Sequence, residues 1–148
     1  MIRNLNHVGI SVSNLALSVR FYRDLLGMTV VGHGAFSGER YDRILDLEGV
    51  TGTAAMLERD GLRVELFEFS VPQPVAGNRA RPVCDHGITH FCIEVSEIDE
   101  EYSRLKAAGV EFHCAPIVFP GIAKATYARD PDGNVIELLE HFRESTHD

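Results

Sequence analysis

Two histidines and two glutamates hold matched places along the chain. His7 and His90 each open an apolar-alternating segment, and Glu65 and Glu137 each stand four residues after the glycine of an Asp-Gly pair. Imidazole nitrogen and carboxylate oxygen together suit a borderline divalent cation: zinc, nickel, cobalt, manganese or ferrous iron. Two carboxylates would also neutralise the ion's charge. Taken singly, a strand histidine is more often structural and a strand glutamate more often part of a solvated face. The repetition of both pairs favours the metal reading, in which His7, Glu65, His90 and Glu137 are ligands of one ion.

The elements that must position these residues repeat as well. Asn6-His7-Val8-Gly9-Ile10-Ser11-Val12 and Thr89-His90-Phe91-Cys92-Ile93-Glu94-Val95 alternate as strands do. Each is followed by apolar residues at helical spacing, with Gly27 and Gly109 where a capping glycine would stand. His7 to Gly27 spans one residue more than His90 to Gly109, so a single insertion reconciles the halves. Strands are predicted over Met28–Val31, Thr51–Leu57, Val110–Cys114 and Ala123–Ala128. Tight hairpins are predicted at Asp60-Gly61 and Asp132-Gly133. Each half is thus strand, helix, strand, strand, strand: an α+β chain read as one domain over 1–148. Module one covers 1–70, a proline-rich linker 71–87, module two 88–141, and a polar tail 142–148. Gly32 to Gly49 reads as a loop over one face, and Pro116 to Ala123 as an apolar loop or lid.

Composition narrows the partners. The 148 residues hold 14 Lys and Arg against 22 Asp and Glu, a net charge of -8, opposite to what a phosphate backbone calls for. Nucleic acid is not expected. No apolar run is long enough to cross a membrane and no secretory leader is apparent, so a cytoplasmic location is the expectation. Cys84, Cys92 and Cys114 form no Cys-x-x-Cys pair and are read as small buried residues. His33, His86, His113, His141 and His147 lack the symmetry of the first pair and are read as surface or loop residues.

The segments HVGISVSNLALSVRFYRDLLGM, THFCIEV and TYARDPDGNVIELLE resemble the vicinal oxygen chelate superfamily, over about Leu5 to His141. That superfamily includes glyoxalase I, methylmalonyl-CoA epimerase, extradiol dioxygenases and the fosfomycin and bleomycin resistance proteins. The resemblance implies paired βαβββ modules whose strands form a cupped mixed sheet around one divalent metal ion, a small-molecule substrate, and commonly a homodimer. Carried over, His7, Glu65, His90 and Glu137 match the family's four metal positions. The His/Glu/His/Glu set resembles bacterial glyoxalase I, whereas the HVGI opening looks more like the epimerases. Extradiol dioxygenases use two histidines and one glutamate. Resistance-type binding proteins generally lack a complete set.

The implied chemistry is that of a lyase or an isomerase/epimerase: a proton leaves the carbon next to a carbonyl, and the cation stabilises the resulting oxyanion. A metal-bound glutamate serves as base in the family's glyoxalases, which makes Glu137 and Glu65 the candidate catalytic residues, with Glu48 a weaker one. An extradiol dioxygenase of a catechol and a non-catalytic binding protein are the alternatives. Strand alternation puts Gly9, Ser11, Arg63, Phe67, Cys92, Glu94, Val135 and Leu139 on the ligands' face. Arg63, Phe67, Cys92, Met56 and Tyr127 are the candidate substrate-binding residues, with Tyr41 and Phe119 as further apolar walls. Arg63 could hold a substrate carboxylate or merely meet a charge in the protein. Arg79 and Arg81 could touch a phosphate, or be solvated.

Overall fold

The computed structural model describes residues 1–142; most of the polar tail lies outside the described residues. The chain folds as two compact units, Met1–Gly77 and Asn78–Asp148. Each is a helix packed on a mixed sheet.

In the first unit the elements run β1 (Val8–Ser11), α1 (Leu15–Arg20), β2 (Thr29–Ser37), α2 (Glu39–Leu45), β3 (Thr51–Arg59) and β4 (Leu62–Val71). The sheet order is β1-β4-β3-β2, with β1 parallel to β4 and the other neighbours antiparallel. Asn14 begins α1, its side-chain oxygen accepting from the Leu17 amide at 2.8 Å. Beyond Arg20 the helix widens into a π-helical turn over Phe21–Leu25, and the Leu26 amide reaches back to the Phe21 carbonyl. A π turn takes up one extra residue within a continuous helix. It therefore accommodates the single insertion by which the halves differ in length. Gly27 then turns the chain with φ of 67°.

Val64, Leu66 and Leu57 have no exposed surface, and α1 lies over their strands with Leu15 and Tyr22 buried. Ser18, on the same helix, is fully buried and its hydroxyl has no hydrogen-bond partner. A buried unsatisfied hydroxyl costs about 1–3 kcal/mol. Ser18→Ala is therefore expected to raise stability by about 1 kcal/mol, read as a higher denaturant midpoint at unchanged slope. A lower midpoint would show that the hydroxyl has a stabilising role.

The second unit runs β5 (Phe91–Glu94), α3 (Ile98–Ala107), β6 (Glu111–Phe112), β7 (Ile117–Phe119), β8 (Ala123–Arg129) and β9 (Val135–His141). Its sheet order is β5-β9-β8-β6, with β7 also paired to β8 and β5 parallel to β9. Ile136 and Leu138 are buried on one face of β9, and Ile98 and Leu105 are buried on α3. Both units thus pair their first and last strands in parallel, and the class is α+β with mixed sheets, as the sequence predicts.

Several local expectations are corrected. Gly32–Gly49 is no loop: β2 continues to Ser37 because Thr51–Leu57 supplies it with an antiparallel partner, and α2 follows. Asp60 and Gly61, both at positive φ, form a two-residue hairpin. The Asp132-Gly133 turn is wider. Buried Asp130 organises it, accepting from the amides of Asp132 and Asn134 and from the Asn134 side chain at 2.8–3.0 Å. The apolar Pro116–Ala123 segment forms β7 and its turn instead of a free loop, since pairing with β8 satisfies its backbone. The strand predicted over Val110–Cys114 shortens to Glu111–Phe112. All three cysteines are exposed.

Candidate metal centre

Register brings each histidine to its own glutamate. Val8, directly after His7, pairs with Val64, and Gly9 pairs with Glu65; Phe91, directly after His90, pairs with Ile136, and Cys92 pairs with Glu137. The same offset in two parallel strand pairs gives the same contact twice. His7 Nε2 lies 3.2 Å from Glu65 Oε2, and His90 Nε2 lies 2.9 Å from Glu137 Oε2. All four side chains are partly exposed.

The other imidazole nitrogen is engaged by the preceding residue in each unit. His7 Nδ1 meets Asn6 Oδ1 at 2.9 Å, and His90 Nδ1 meets Thr89 Oγ1 at 2.9 Å. Such a contact orients the ring and, with the proton on Nδ1, turns the Nε2 lone pair toward the carboxylate. Two acceptors about 3 Å apart repel unless a proton or a metal ion lies between them. This donor chemistry fits a divalent cation. Among the described residues, no three or more His, Cys, Asp or Glu side chains form a single metal-holding group. Each unit presents two donors.

The surroundings of the two pairs differ. In the second unit Tyr127 pairs with Glu137 across β8 and β9, and its ring lies 4.8 Å from His90 and 5.8 Å from His113. Burial, then the Glu137 charge, raises the Tyr127 phenol, so it remains a hydrogen-bond donor at neutral pH. Burial, then the Arg129 charge, lowers His113. Partial burial of its sulfur, then the Glu137 charge and a hydrogen bond to that carboxylate, pushes the Cys92 thiol up to about 12. Cys92 is thus a neutral neighbour of Glu137, not a nucleophile. In metal-free protein at pH 8, its alkylation by iodoacetamide is expected to run tens-fold below that of a free thiol, the scarcity of thiolate being only partly offset by its higher basicity. Peptide mapping after timed alkylation reads this, and a rate equal to that of a free thiol would contradict it.

In the first unit, Met56 pairs with Glu65, and Phe67 follows two residues along β4. Arg63 donates to Glu58 across the hairpin at 2.7 Å, so its charge is met within the protein. Arg81 donates to the carbonyls of Asp85, His86 and Ile88, folding the linker on itself. Arg79 lends its carbonyl to Arg129. Tyr41 packs on Phe36, and Phe119 sits half-exposed on β7. Glu48 lies on the loop after α2 and lines a shallow hollow with Asp46 and with Asp42 of that helix.

One device escaped the sequence reading. Glu68 accepts from the Leu15 amide at 2.6 Å, and Glu140 from the amides of Glu97 and Ile98 at 2.8 and 3.2 Å. Each carboxylate stands three residues after Glu65 or Glu137 and holds the N-terminus of α1 or α3, where the helix dipole favours negative charge. The repeated Glu-Leu-x-Glu of β4 and β9 is the signal that would have shown it. The clasp fixes the helix to the strand that carries Glu65 or Glu137.

A model of the Glyoxalase/Bleomycin resistance protein/Dioxygenase superfamily matches residues 4–138. The chain belongs to this superfamily. A glyoxalase family protein from Bacillus cereus superposes with a TM-score of 0.89 at 26% identity, covering 96% of both chains. The metallothiol transferase FosB of Staphylococcus haemolyticus is 29% identical over 93% of this chain and 84% of its own. The lactoylglutathione lyase of Schizosaccharomyces pombe is 25% identical over 91% of this chain, which spans 46% of that protein. The superfamily thus includes proteins named for different reactions, and membership alone does not choose among them.

Proposed function

We propose that the chain is a divalent-metal-dependent lyase or epimerase that moves a proton at the carbon next to a carbonyl. The observation that carries this reading is the duplicated pair of imidazole Nε2 and carboxylate Oε2, each with Nδ1 already engaged. His7 and Glu65 from one unit and His90 and Glu137 from the other would hold one ion of the zinc, nickel, cobalt, manganese or iron group, within one chain or across a homodimer. When bound, that ion supplies Lewis-acid stabilisation of the developing oxyanion. Glu137 or Glu65 takes the proton and returns it, while the neutral Tyr127 hydroxyl is available to hydrogen-bond the substrate. Met56, Phe67 and Cys92 border the two pairs, and the reaction is placed in the cytoplasm.

Similarity to FosB favours a second reading, metal-dependent addition of a thiol to a small electrophile. One experiment separates the two. The protein, loaded in turn with each metal, is incubated in D2O with hemithioacetals of 2-oxoaldehydes and with acyl-CoA esters, and deuterium at the carbon next to the carbonyl is followed by NMR. Metal-dependent exchange is expected. Its absence across the panel would overturn the lyase or epimerase reading; metal-dependent loss of a thiol in the presence of an epoxide would then support the transferase. Oxygen uptake with ferrous iron and a catechol would mark a dioxygenase.

A further inference from the structure

We propose that the face of the first unit's sheet bearing His7 and Glu65 also holds a subsite for a planar aromatic ring, and that the ligand joins such a ring to a metal-chelating oxygen group. The second half of this proposal rests on the metal reading above; the ring subsite does not.

Along β4, Val64 and Leu66 are fully buried, and Glu68 reaches the start of α1. Alternation puts Glu65, Phe67 and Phe69 on the opposite face. There the rings of Phe67 and Phe69 stack at 5.9 Å and 20°, and Phe36 stands edge-on to both, at 5.7 Å and 79° and at 5.4 Å and 80°. Tyr41 on α2 backs Phe36 at 5.4 Å. These are the favourable offset and T-shaped arrangements of aromatic pairs, so the wall is set before any ligand arrives.

Two details distinguish this wall from ordinary core. Phe36 is buried to 4% exposure, yet Phe67 and Phe69 remain partly open, so the cluster has a packed back and an accessible front. Gly52 makes room for it, since a Cβ there would fall 2.5 Å from the Phe36 ring and 2.4 Å from the Glu68 carbonyl. At the other end, Gly9 pairs with Glu65 and places no side chain beside the carboxylate. Polar donors and a ring platform therefore adjoin on one strand face, two residues apart. In the second unit, Cys92 and Tyr127 neighbour the equivalent pair, and His113 packs on the Tyr127 ring.

The test compares benzohydroxamate with acetohydroxamate, which present the same chelating oxygens with and without a phenyl ring. Affinities are measured by calorimetry on zinc-loaded and on EDTA-treated protein. The expected result with zinc is a preference for benzohydroxamate of about tenfold or more, from burial of the ring and its aromatic contacts. That ratio should fall toward one in Phe67→Leu and, should this variant lose its circular dichroism spectrum, in Phe69→Leu. Equal affinities in the unsubstituted protein would overturn the ring subsite and leave the metal reading standing. If zinc strengthens neither compound, the metal reading fails, and the EDTA-treated protein decides the subsite by NMR. Saturable benzohydroxamate shifts that acetohydroxamate does not produce support it, and their absence overturns it.

Discussion

Glu137→Gln is expected to slow deuterium exchange by about 10²- to 10⁴-fold at saturating metal, the usual contribution of a positioned acid–base group. The amide preserves the size of the side chain and an oxygen toward His90, whose Nε2 lies 2.9 Å from the carboxylate, but it cannot take up a proton at neutral pH. The loss should fall on kcat, with KM changing far less, because the residue acts on the proton in flight. Glu65→Gln, made in parallel, identifies the base: the glutamate whose loss costs more in kcat is the one that abstracts. A kcat within threefold of the unsubstituted value for both variants would remove the glutamates from proton transfer, whatever their part in binding the ion.

Gly133→Ala is expected to cost about 3 kcal/mol or more of stability. Gly133 has φ of 87°, and a Cβ there would lie 2.3 Å from the Arg79 carbonyl oxygen and 2.5 Å from its Cα. Backbone cannot yield as a flexible side chain can, so the left-handed conformation and the overlap both count against alanine. Arg129 reinforces the seat, donating to the carbonyls of Arg79, Arg81 and Gly133 at 3.1, 3.1 and 2.7 Å. Gly61 offers an internal control: its φ is also 87°, with nothing within 4 Å of the added carbon. Gly61→Ala should cost only about 1–2 kcal/mol, the left-handed penalty alone. Urea unfolding of both variants measures the difference. Equal losses would mean that the seat of Arg79 on the β8–β9 turn contributes nothing.

How much was legible beforehand depended on whether a residue's role is set locally or across the sheet. The alternation before and along β1, β4, β5 and β9 marked His7, Glu65, His90 and Glu137 from the sequence, but the contact of each histidine with its own unit's glutamate is set by the parallel registers. The extra residue in the first half could be counted from sequence, though not its accommodation as a π turn, because that turn is fixed by packing around buried Phe21 and Tyr22. Gly32 to Gly49 misled for the opposite reason. Its glycines and charges suggest a loop, yet β3 supplies the backbone partners that make its first part a strand. Arg63 was open to a substrate carboxylate or a charge in the protein, and Glu58 is the partner it meets; Arg81, read as touching a phosphate or solvated, donates to three linker carbonyls. The Glu68 and Glu140 clasps left a repeated Glu-Leu-x-Glu in the sequence, but the helix amides they hold, like the seat of Phe36 over Gly52, belong to distant elements and showed themselves only in three dimensions.

Metal analysis of the purified protein, beside His7→Ala and Glu137→Ala, tests the central claim most directly. About one divalent ion per chain, lost from both variants, is the expected result, since one substitution lies in each unit and a shared ion needs donors from both. No bound metal and no uptake of zinc, nickel, cobalt, manganese or ferrous iron, or a loss confined to one variant, would contradict a single centre built from His7, Glu65, His90 and Glu137.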